Sequence, residues 1–127
     1  MTGLLALLPL ALAAASPDAA STERGLWMGR IHLCRGTVAS ARIVPDPHDG
    51  SVDTLYVRLR PAEQQLFARE TAANIGSALT IRLDGRVLSA PVIREEITGG
   101  QVQISAPGAD LRAARRAARG PCRSARR

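Results

Sequence analysis

Apolar and polar positions alternate most clearly between Leu79 and Ser105. Leu79, Ile81 and Leu83 are interleaved with Thr80 and Arg82, the period-two pattern of a strand with one buried face. Asp84-Gly85 follows directly. Asp-Gly between two such runs predicts a hairpin, because a type I′ turn needs positive φ at both central residues, which Gly adopts freely and Asp tolerates. Arg86 to Ala90 is then the return strand, ended by Pro91, which has no N–H for a ladder. Gly99-Gly100 breaks the chain again, and Val102, Ile104 and Ala106 alternate with polar residues as a further short strand.

Upstream, Val38 to Val44 and Val52 to Leu59 have the pattern of two strands, separated by the turn-rich Pro45-Asp46-Pro47-His48-Asp49-Gly50. Pro61 suits a first helical position and Glu63 a first turn, so a helix is predicted from about Pro61 to Asn74, ended by Gly76. Its apolar face is assigned to Ala62, Leu66 and Ala73, with Phe67 at the edge and Glu70 in the middle. Asp110 is a candidate N-cap for a last helix, Leu111 to Arg119, stopped by Gly120-Pro121. The order strand, strand, helix, hairpin, strand, helix is an α+β pattern: a small, mainly antiparallel sheet with two helices packed on one face.

Leu4 to Ala15 is an unbroken apolar run of signal-peptide length ending in Ala13-Ala14-Ala15. It is shorter than the roughly 20 residues of a membrane-spanning helix. Residues 1–20 are therefore expected to be a signal peptide, cleaved near Ala15 or Ala20, although the first residues carry no Lys or Arg. Residues 21–36 form a poorly defined lead-in with at most a short strand through Ile31 and Leu33. Residues 37–120 are the domain, and 121–127 an Arg-rich tail. The expected location is periplasmic or secreted.

Composition changes the picture in two ways. The chain has 127 residues and 46% hydrophobic content, but one Trp, one Tyr and one Phe. Trp27, Tyr56 and Phe67 aside, the apolar supply is rich in Ala, so the core is assembled from small groups and needs a staple. Cys34 and Cys122 supply a candidate: an even count in a small exported chain reads as a disulfide, the alternative being two free thiols. The formal charge of +6 is also uneven. Residues 111–127 hold Arg112, Arg115, Arg116, Arg119, Arg123, Arg126 and Arg127 and no acid. The body is nearly neutral and this end is basic. It suits weak contact with an anionic membrane surface, or simply a solvated helix face. Nucleic acid is not expected, because stacking aromatics are missing.

Candidate chemistry is sparse. His32, Cys34 and His48 have no recognised metal spacing, and Glu63, Glu70, Glu95 and Glu96 read as solvated carboxylates. Without a nucleophile, metal or cofactor motif, no catalytic, metal or cofactor residues are assigned and the chain is expected not to be an enzyme.

Several motifs occur in a fixed order: Phe67 and Thr71 with Gly76, Leu83-Asp84-Gly85, Ser89-Ala90-Pro91 with Ile93, Gly99-Gly100, and Ala113 to Gly120. Together they resemble the head subdomain of the first periplasmic domain of SecD, over roughly residues 37 to 120. The resemblance implies a copy of the head without the family's transmembrane helices and without energy coupling. It marks Asp84, Gly85, Ser89, Ala90, Pro91, Gly99 and Gly100 as motif turn residues. It also implies a non-catalytic binding module for unfolded or extended polypeptide or for Sec translocon components. The alternative is a secreted structural or interaction domain with an Arg-rich end for anionic surfaces and no export role. Pro91 could shape an edge that accepts an extended peptide, or could block pairing there.

Overall fold

A computed structural model describes residues 23–48 and 50–122. The expected signal peptide and Arg123, Arg126 and Arg127 lie outside the described residues. The strands are β1 (Leu26–Met28), β2 (Ile31–Leu33), β3 (Val38–Pro45), β4 (Asp53–Leu59), β5 (Ile81–Leu83), β6 (Arg86–Ser89) and β7 (Gln101–Ala106). The helices are α1 (Pro61–Ala73), between β4 and β5, and α2 (Gly108–Arg119), after β7.

The α+β class and the antiparallel pairing are as expected, but the strands divide into two sheets. One has the order β2-β1-β5-β6 and the other β3-β4-β7. The lead-in segment is therefore not poorly defined: β1 is an inner strand, pairing Leu26 with Leu33 on one side and with Leu83 on the other. Three-residue strands carry too little alternation to stand out in a sequence, and their stability comes from partners distant in the chain.

Inward residues of both sheets meet in one core. Leu26, Met28, Leu33 and Ile81 come from the first sheet, and Leu55, Val57, Leu59 and Ile104 from the second, all fully buried or nearly so. β7 is alternately exposed and buried along its length, as its period-two pattern requires. From α2, Leu111, Ala114 and Ala118 enter the same core. The two alanines leave no bulk between helix and sheet. Phe67 is the one aromatic side chain among the buried residues.

α1 buries a different face from the one its sequence suggests. Phe67 and Thr71 are buried, while Leu66 is 40% exposed. Phe67 has the larger volume to hide, and Thr71, one turn later, is hidden with it at no polar cost. Its hydroxyl donates to the Phe67 carbonyl at 3.0 Å and accepts the Ile97 N–H at 2.9 Å. α2 begins at Gly108 with Pro107 as N-cap, so Asp110 lies in the first turn and is not the cap. There its carboxylate faces the positive end of the helix and accepts a 2.9 Å bond from Arg86.

Candidate functional site

The Asp84-Gly85 turn has φ of 51° and 85°, as a type I′ turn requires. Asp84 does a second task that the sequence does not signal. Its N–H donates to the Gly25 carbonyl at 2.9 Å, and its carboxylate accepts the Gly25 N–H at 2.8 Å. This reciprocal pair ties the hairpin to the chain just before β1. Of the Gly pair, Gly100 carries the backbone requirement. Its φ is 69°, its carbonyl accepts the Leu59 N–H at 2.7 Å, and an added Cβ would collide with the Gln64 side chain. Gly99 has open space around it and no left-handed φ.

Beyond the hairpin, Ser89 pairs with Ile81 at the end of β6. The chain then runs alongside residues 76–79: Pro91 accepts the Leu79 N–H at 2.7 Å, and Ile93 bonds Ser77 and Gly76. Pro91 is thus paired through its carbonyl while its ring, like Ala90, stands exposed. Ile93 is buried, turning inward beneath this margin. β6 is an outer strand of its sheet. Val87 on β6 is 55% exposed, Val92 beyond Pro91 is 51% exposed, and Ile75, beside Gly76, is 56% exposed. Among the described residues, three of the four exposed large apolar side chains therefore lie on or next to one sheet margin, and the fourth is Leu66.

A cleft of about 400 Å³ opens beside this margin, between the β1–β2 turn, the C-terminal half of α1 and residues 78–82. Gly29, Glu70, Asn74, Leu79 and Ile93 contribute to its walls, and an Arg30–Glu70 ion pair of 3.6 Å spans it. Arg82, at the cleft, is held by a two-pronged ion pair to Glu23 at 2.7 and 2.8 Å. That pairing keeps its guanidinium above its ordinary value, against the effect of partial burial. The cleft is mixed in character, with apolar Leu79 and Ile93 on its floor and charges at its mouth.

The sequence-level candidates for other chemistry are scattered. Cys34 and Cys122 are joined in a disulfide with their Cα atoms 5.1 Å apart, so Cys34 is not available as a metal thiolate. His32 stacks on Trp27 with ring centroids 4.4 Å apart. Burial lowers its pKa, opposed by the charge of Glu23. The His48 backbone N–H donates to the Asp46 carboxylate at 2.8 Å, so it is Asp46 that caps the local turn there. Among the described residues no group of three or more His, Cys, Asp or Glu is placed to share a metal ion. Glu70 faces Arg30 across the cleft, and Glu95 and Glu96 are exposed. Of the basic end, Arg112, Arg115, Arg116 and Arg119 belong to α2.

Comparison with known proteins gives a consistent result. A family model described as SecDF, P1 head subdomain, matches residues 17–118. The SecD protein translocase subunit of Calditerrivibrio nitroreducens is 47% identical over 49 residues, covering 39% of this chain and 10% of that protein. SecDF of Thermus thermophilus is 54% identical over 44 residues, 35% of this chain and 6% of that protein. SecD of Thermobaculum terrenum is 38% identical over 68 residues, 54% of this chain and 13% of that protein. A solved structure of SecDF, a membrane component that enhances protein export, superposes with a TM-score of 0.56 at 38% identity, covering 65% of this chain and 37% of that one. The aligned part is thus a small fraction of these relatives. Among the described residues no helix is long and apolar enough to cross a membrane.

Proposed function

Since the chain belongs to the SecDF P1 head subdomain family, we propose that it serves protein export as a non-catalytic module on the periplasmic side of the membrane, contacting exported polypeptide in its extended state. The observation that carries this reading is the exposed margin of β6, with Val87, Val92 and Ile75 in solvent around the Ser89-Ala90-Pro91 motif. An outer strand offers main-chain N–H and C=O groups that bond any extended chain irrespective of its sequence, and apolar side chains beside it add affinity without demanding one residue type. Both suit a partner that is unfolded and variable. The Sec translocon is the assembly in which such a module would meet it.

A permanently unfolded, fluorescently labelled polypeptide, reduced and carboxymethylated, tests this by anisotropy. The full chain should bind it and not the same polypeptide folded. Val87→Asp with Val92→Asp should weaken binding about tenfold, from the loss of apolar burial and the charge left in its place. Equal binding by the variant, or none by the parent, would sink the reading.

A further inference from the structure

Along β3, the edge of the second sheet away from β7, a groove of about 350 Å³ runs between that strand and the C-terminal end of α2. Val38, Ala39, Ala41 and Ala118 form part of its floor, and Arg35, Arg42, Arg60 and Arg119 stand around it. Among the described residues no Asp or Glu lines it. None of the ion pairs among the described residues engages any of these four guanidinium groups. Arg42 turns its guanidinium over the Tyr56 ring, 5.4 Å from its centre. The other three are unneutralised cations around one concavity; they repel one another, and an anion relieves that repulsion.

Three of the four are held in place by main-chain carbonyls. Arg60 Nε donates to the Arg35 carbonyl at 3.1 Å, and Arg35 Nε to the Arg119 carbonyl at 3.4 Å. Arg119 completes the series by donating to the Ala41 carbonyl at 2.8 Å. Each guanidinium has five N–H donors, so each keeps unspent donors for a ligand while its orientation is already fixed. The Cys34–Cys122 disulfide, with the Arg35 N–H bonded to the Gly120 carbonyl at 2.8 Å, locks the helix end against the loop that bears Arg35.

The arrangement selects among occupants. β3 is an outer strand, but the Arg119 bond to Ala41 occupies a carbonyl that an added strand would need. An anion fits better than an extended chain. The sequence continues from Cys122 with Arg123, Arg126 and Arg127, and carries no acid after Asp110. That adds to the positive charge of the sequence after Asp110 and suits a surface bearing many negative charges. We propose that this groove is a docking site for the phosphate of an anionic phospholipid headgroup, which would hold the domain at the membrane surface while the β6 margin faces polypeptide.

The test is flotation of the full chain with vesicles of phosphatidylglycerol and phosphatidylcholine in equal parts. Arg35→Gln with Arg60→Gln should weaken binding about thirtyfold, the loss expected from two arginines at an anionic surface. Arg69→Gln with Arg94→Gln, which removes the same charge outside the groove, should cost far less. Inorganic phosphate should shift the Nε–H resonances of Arg35 and Arg60, and a retained thermal transition shows that the variants fold. Equal losses from the two pairs would overturn the site and leave general charge attraction. Full retention of binding by the groove pair, with loss on changing Arg123, Arg126 and Arg127 to Gln, would overturn it in favour of the terminal residues. Tighter binding to polyglutamate than to the vesicles would replace the lipid by an acidic polypeptide.

Discussion

Removing the Cys34–Cys122 bridge should have the largest effect on stability of any single change outside the core. The two cysteines are 88 residues apart, so the bridge closes nearly the whole described chain. In the chain-entropy treatment a loop of that length contributes about 4 to 5 kcal/mol by restricting the unfolded ensemble. A domain of this size has about 5 to 15 kcal/mol in total. Local contacts add to the effect: the Gly36 N–H points at the Cys122 sulfur at 3.2 Å, and the bridge holds the end of α2 on the lead-in strands. Cys34 is buried, so Cys34→Ala with Cys122→Ser removes the bridge without burying a new hydroxyl. Circular dichroism against temperature should show the midpoint falling by about 20 °C or more. The parent protein in reductant should fall by a similar amount. A fall of less than about 5 °C in both, at a scale of 4 to 8 °C per kcal/mol, would refute the reasoning, since it would mean that the unfolded chain is already as compact as the bridge makes it.

Gly100→Ala should destabilise by more than about 1 kcal/mol, because it adds left-handed strain and a clash with Gln64, whereas Gly99→Ala should stay within about 0.5 kcal/mol; urea unfolding separates the two. Phe67→Ala should cost about 3 to 5 kcal/mol by the same assay, and Leu66→Ala much less, since the first is buried and the second 40% exposed. His32 has a folded pKa below its ordinary value of 6.5. The folded state therefore binds fewer protons than the unfolded one in that range, and its contribution, intact above 6.5, is lost as pH falls through the folded pKa. Melting midpoints should drop as pH is lowered from about 7 to about 5, and His32→Gln should flatten the part of that drop that His32 causes.

The elements that could be read from the sequence are those whose signal is local. The Asp84-Gly85 turn needs only two residues and their φ values, and β4 and β7 are long enough to show their alternation. Arrangement needed information from far along the chain. β1 and β2 each have three residues, and what makes β1 a strand is Leu83 and Leu33 on either side of it. The separation into two sheets has the same origin, because alternation says that a strand has a buried face but not which strand lies beside it. On α1 the large volume of Phe67 and the two hydroxyl bonds of Thr71 decided the buried face, and a polar residue at that position misleads a search for an apolar stripe. The motif residues around β6 were identifiable by resemblance, yet the exposed Val87, Val92 and Ile75 look like ordinary core candidates until the fold shows them in solvent. The arginine groove was divided between a loop, a strand, a helix start and a helix end. Only Arg119 belonged to the basic stretch that composition pointed out.

The central claim is that the β6 margin touches exported polypeptide. Photo-crosslinking amino acids placed singly at Val87 and Val92, with Gln103 on the exposed face of β7 as control, test it most directly in cells exporting a tagged polypeptide arrested during transit. Crosslinks to the arrested chain from Val87 and Val92 but not from Gln103 are the result this account predicts. Crosslinks that are absent at all three sites, or equal at all three, would contradict it.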